Sequence, residues 1–119
     1  MNGRLRRWLE SVDFVAEIIL LEEFRLWNYP MITRFPNLEN LTHLRKVNIT
    51  GCKRLTDISA VERIPNLRVF GIVNTPQTVE DLVFIARKEG MEAMSGAFGS
   101  KRRDAAFDAL LERYGLVYG

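Results

Sequence analysis

Few residues in this chain are equipped for covalent chemistry: one histidine, His43, one cysteine, Cys52, and an adjacent acidic pair, Glu22 and Glu23. An imidazole beside a thiol would supply a base and a nucleophile, but the two must lie within hydrogen-bond reach. His43 and Cys52 flank a segment that reads as extended, and at roughly 3.3 Å per residue their backbones fall about 30 Å apart. Cys52 is therefore expected to be a buried structural thiol and His43 a surface residue. Neighbouring carboxylates on a strand face opposite sides, so Glu22 and Glu23 cannot share a proton transfer. One cysteine and one histidine do not make the ligand spacing of a zinc site. The expectation is a protein without catalytic residues, metal or cofactor.

Noncovalent chemistry has a better candidate in "GAFGSKRRD", residues 96 to 104. The first N–H groups of a helix attract anions, and Ser100, Lys101, Arg102 and Arg103 would form the start of one. Ser100 is placed to cap that helix and Gly115 to stop it, with Ala106, Phe107, Leu110, Leu111 and Tyr114 on one apolar face. The spacing is not that of a phosphate-binding P-loop. A phosphate-bearing or other anionic ligand is one reading of this loop, and three solvated cations are the other.

The elements that would position these residues follow from a repeat. Offset by 23 residues, Leu21, Leu44 and Leu67 head three rows. In the first row Phe24, Leu26, Ile32, Phe35, Leu38 and Leu41 occupy the same slots as Val47, Ile49, Leu55, Ile58, Val61 and Ile64 in the second. Fixed periods of this length mark stacked repeats. Each row opens with two-residue alternation, which predicts strands at 22–27, 45–50 and 68–73, and continues with three-residue spacing, which predicts a return by helix or 3₁₀ turn. Asn28, Gly51 and Asn74 share the column after the strand, where a sharp corner would demand positive φ. The third return, "TPQTVEDLVFIARKEG", reads as a helix from Thr78 to Lys88, capped by Thr78 and ended by Gly90. "GMEAMSGAF" supplies a fourth strand, with Met91 and Met94 keeping the spacing after one inserted residue, and "LVY" at the end adds an edge strand or frays.

The run L-x-x-V-x-I-x-x-C-x-x-L-T-D-I in residues 44 to 58 resembles the leucine-rich repeat family, most closely its bacterial, internalin-like class. The resemblance covers about residues 21 to 86. It implies an α/β fold: a short right-handed coil with a small parallel sheet on one face, helical or irregular returns on the other, and a binding role without chemistry of its own. Tyr29, Cys52 and Thr75 stand where the family has a buried Asn or Cys, so only the second row keeps the pattern.

Stacks need closed ends. Residues 1–20 are expected to be an N-terminal helical cap, with Leu5, Trp8, Leu9 and Val12 in helical spacing; residues 21–90 the coils; and residues 91–119 a strand and helix closing the other end of a single domain. The 119 residues are 47% hydrophobic, and 17 basic against 15 acidic side chains leave a net charge of +2. No global field for nucleic acid or membrane results. Arg4, Arg6 and Arg7 beside Trp8 read as solvated rather than as a membrane or nucleic-acid contact. The cysteine usage and the lack of an apolar run fit a cytoplasmic protein.

Outward strand positions form three columns: Glu23, Lys46 and Val69; Arg25, Asn48 and Gly71; Trp27, Thr50 and Val73. Trp27, Val69 and Val73 rimmed by Arg25 and Lys46 have the character of an interface centre. The expected function is non-catalytic binding of a protein partner, or of another copy of the chain, through this face, in the manner of an inhibitor or immunity-type binder. Against this stand a terminal segment folded over the face and, as the alternative function, a regulatory domain that binds a phosphate-bearing or other anionic ligand at the loop and helix start of residues 96–103.

Overall fold

Alternating apolar residues become strands wherever a neighbour can satisfy their backbone, and five such segments pair side by side. In the computed structural model, which describes residues 11–119, β1 (Glu23–Trp27), β2 (Lys46–Thr50), β3 (Val69–Val73), β4 (Ala93–Ala97) and β5 (Val117–Tyr118) form one parallel sheet in sequence order. The fold is α/β. Glu23 pairs with Lys46, Lys46 with Val69, Val69 with Ala93 and Ala93 with Val117, so the offset is 23 residues twice and then 24 twice. The inserted residue before β4 and the edge strand at "LVY" are both present, and each of the first three strands begins one residue later than expected.

Between strands the chain returns over one side of the sheet. The second return contains a 3₁₀ turn, Ser59–Arg63, and the last a helix, α2 (Lys101–Arg113). Leu44, Val47, Ile49, Leu55, Val61, Ile64, Leu67 and Phe70 are fully buried in one continuous apolar cluster, which Leu82, Ile85, Phe107, Leu110 and Leu111 join from the return side. Fully burying a side chain of this size stabilises by about 1.5–3 kcal/mol, so these inward columns together hold the rows to one another. Leu21 and Phe24 are only partly buried, because β1 has a single strand neighbour among the described residues. Asn28, Gly51 and Asn74 all take positive φ, at 57°, 72° and 55°. A Cβ on Gly51 would run into the Asn28 side chain one row below.

Two expectations need correction. The predicted helix from Thr78 to Lys88 is a 3₁₀ turn, Glu80–Leu82, followed by one helical turn, α1 (Val83–Ala86). Val79, Val83 and Ile85 are β-branched and resist helix, and the segment closes by Lys88 N–H bonding Ile85 C=O, the tighter 3₁₀ pattern. Thr78 does not cap it; its backbone N–H is instead taken by the Asp81 carboxylate at 2.9 Å. In α2 the buried stripe is Phe107, Leu110 and Leu111, while Ala106 is exposed and Tyr114 half-buried. At the front, a 3₁₀ turn, Asp13–Glu17, follows Val12; Val12 and Val15 are buried, and Ile18, Ile19 and Leu20 are exposed. The remainder of the expected cap, with Arg4, Leu5, Arg6, Arg7, Trp8 and Leu9, lies outside the described residues.

Candidate binding face and corner cavity

Parallel in-register pairing lines up the outward side chains as the alternation requires. The first column is Glu23, Lys46, Val69, Ala93 and Val117; the second Arg25, Asn48, Gly71 and Ser95; the third Trp27, Thr50, Val73 and Ala97. All seven residues expected to bind a partner, Arg25, Trp27, Lys46, Asn48, Thr50, Val69 and Val73, therefore share one face. Trp27 is 60% exposed, Val69 and Val73 are half-buried between neighbours. Glu23 Oε1 is shared by Arg25 Nη2 at 3.4 Å and Lys46 Nζ at 3.6 Å. These exposed pairs contribute little stability, but they leave two cations to one anion on the face.

The middle of the face is flat for a definable reason. Thr50 Oγ1 donates to Asn48 Oδ1 at 2.9 Å, which turns the Asn48 amide nitrogen toward β3. A Cβ on Gly71 would sit 2.7 Å from that nitrogen and 2.6 Å from Ser95 Oγ. Glycine thus lets two polar groups close over the β3 backbone between flanks of Val69 and Val73. Ser95, Ala93 and Ala97 extend the face and went unrecognised in the sequence, since only Met91 and Met94 marked β4 there; the 24-residue offset, applied to Gly71, finds Ser95.

His43 and Cys52 are as expected. His43 is exposed ahead of β2, and Cys52 is buried, with Sγ donating to Thr50 C=O at 3.7 Å. Burial raises the Cys52 thiol pKa above its ordinary 9.0, against the lowering effect of hydrogen bonds from the Tyr29 and Asn28 backbone. Asp57 is shifted the other way, because Ser59 gives it both its hydroxyl, at 2.6 Å, and its backbone N–H, at 3.0 Å. Among the described residues, no group of three or more His, Cys, Asp or Glu is placed to hold a metal, and no helix is long and apolar enough to cross a membrane.

The anion-binding candidates Ser100, Lys101, Arg102 and Arg103 do form a helix start. Ser100 Oγ accepts the Arg103 N–H at 3.2 Å, and Asp104 Oδ1 reaches back to the Phe98 N–H at 2.9 Å. Beside this start, at the C-terminal ends of β3 and β4, lies a cavity of about 430 Å³ lined by Val73, Asn74, Gln77, Ala97, Gly99 and Arg103, among others. It opens where a backbone ladder stops. Asn28 N–H bonds Thr50 C=O at 2.8 Å and Gly51 N–H bonds Val73 C=O at 2.9 Å, but the next corner, Asn74, makes no such bond to β4.

No protein-family model matches the chain, and no solved structure matches it. Over 50 residues it is 34% identical to a protein of Arabidopsis thaliana described as a "Putative disease resistance protein". That stretch is 42% of this chain, and it is 4% of the length of the Arabidopsis protein.

Proposed function

We propose that the chain is a non-catalytic interaction module, built as a short leucine-rich-repeat coil, whose outward sheet face binds a protein partner. The observation that carries this reading is the face itself: five strands in register present Trp27, Val69 and Val73 around the flat Asn48–Gly71–Ser95 centre. Aromatic and aliphatic anchors in a centre with a polar, cationic rim are the composition of interface cores. The described helices pack on the opposite side, where Phe107 of α2 meets Phe98 and Tyr118. The β5 strand continues the sheet sideways rather than covering it. The partial likeness to a plant protein described as a disease resistance protein is compatible with such a module.

The charges favour a different protein over a second copy. Two copies docked face to face would bring Arg25 and Lys46 of each toward the other with only Glu23 to offset them, and like charges across an interface oppose binding. The partner is accordingly one with an acidic rim.

The test compares proteins retained from cell extract by three immobilised forms of the chain, with light scattering to report self-association. Trp27→Ala with Val73→Asp is expected to release the partner, since truncating an anchor of this kind costs about 2 kcal/mol or more, roughly 30-fold in affinity. Lys101, Arg102 and Arg103 all changed to Ala should retain it. Retention by the face variant together with release by the triple variant overturns the reading, and a dimer lost on Val73→Asp would replace the foreign partner with a second copy.

A further inference from the structure

The centre of the sheet face holds two polar groups for which the chain itself has no use. Thr50 Oγ1 donates to Asn48 Oδ1 at 2.9 Å, so the Asn48 amide nitrogen is the atom left facing Gly71. From the next strand Ser95 Oγ faces the same glycine, where a Cβ would lie 2.7 Å from the nitrogen and 2.6 Å from the hydroxyl. The two groups converge over the Gly71 backbone from opposite sides, as only glycine allows. Neither Asn48 Nδ2 nor Ser95 Oγ has a hydrogen-bond partner among the described residues. Asn48 and Ser95 are half-buried, and the columns on either side of them bring Val69 and Ala93, and Val73 and Ala97, alongside. A small polar seat is thus set into an apolar part of the face.

Resting on the sheet face as the binding surface, we infer that this seat receives a carboxylate, and that the partner's central contact is an Asp or Glu side chain. An amide nitrogen offers only hydrogens and a hydroxyl can turn to offer one, so what the pair lacks is an acceptor. Charge selects the kind of acceptor. Among the outward strand residues Glu23 is the one anion, and it is shared by Arg25 and Lys46. Arg25 stands in the same column as Asn48, Gly71 and Ser95. The surplus cation favours a carboxylate over a neutral carbonyl, and hydrogen bonds to an ionised acceptor are roughly twice as strong as neutral ones. The valines and alanines around the seat exclude water once a partner docks, which strengthens both bonds. A second copy of the chain has only Glu23 to offer from this face, and its own two cations already hold that group.

The experiment selects a phage-displayed random peptide library against the immobilised full chain and, separately, against Asn48→Asp, which keeps the acceptor for Thr50 and replaces the donor with an anion. Peptides that bind the wild type and are lost on Trp27→Ala with Val73→Asp are expected to share an Asp or Glu at one position. Changing that residue to Asn or Gln should weaken binding about tenfold or more. Asn48→Asp should weaken the same peptides by a similar factor and select Lys or Arg in place of the acidic residue, and Ser95→Ala should weaken them without changing the preference. Should Asn48→Asp not fold, the acid-to-amide change in the peptide still decides. Face-dependent peptides with no shared acidic residue, or with affinity unchanged by Asn48→Asp, overturn the carboxylate and leave the face as the binding surface. Selection that yields no face-dependent peptide overturns both.

Discussion

Cys52 is the residue whose burial has the clearest chemical consequence. Its folded pKa is raised above 9.0 because the thiolate would have to be desolvated at the corner after β2. As pH climbs past 9.0 the unfolded chain loses this proton before the folded one does, so the stability the neutral thiol contributes is complete below 9.0 and declines as pH rises through the folded value. Urea unfolding at a series of pH values should show the wild type falling more steeply above 9.0 than Cys52→Ala, lysines and tyrosines being common to both. Equal slopes would place the thiol in contact with water. That Cys52 is buried was legible in the sequence, because it falls at the corner after the second strand, the one row that keeps the pattern of a small buried residue there. Gln77 was not: a glutamine between Pro76 and Thr78 carries no periodic signal, and only the coordinates reveal that its amide provides a link from the third row to the Leu55 carbonyl.

At the scale of elements, alternation and capping chemistry proved the most informative signals. Strands β1 to β3 were readable because Val47 and Ile49, and their equivalents, point inward in every row, and no slip by one residue keeps them there. The end of α2 was readable from Ser100 and Gly115, the latter at φ 68°. The third return was not, since its apolar residues satisfy helical spacing while their β-branching and the Asp81 contact to Thr78 N–H favour a tighter turn. For α2, Ser100→Ala removes the acceptor of the Arg103 N–H and should destabilise the protein by about 1 kcal/mol. Chemical denaturation measures this, and a change indistinguishable from zero would mean that Asp104 alone secures the helix start.

For the whole molecule, the decisive property is that no row has a core of its own. Leu44 and Leu67 are fully buried in one cluster that draws side chains from every row, so the described residues are expected to unfold in one cooperative transition. Leu44→Ala should cost about 2–5 kcal/mol, shifting the midpoint of fluorescence and circular-dichroism curves together. Curves that separate would show the rows melting independently. The extra residue between β3 and β4 bears on how such a chain tolerates change of length. It is absorbed behind the sheet, and Val69, Gly71 and Val73 still meet Ala93, Ser95 and Ala97 across the ladder. A residue added within a strand would turn every later side chain of that strand inside out; one added in a return merely lets out slack. Growth and loss of sequence are thereby steered to the rear of the protein, while the pattern it displays at the front is preserved.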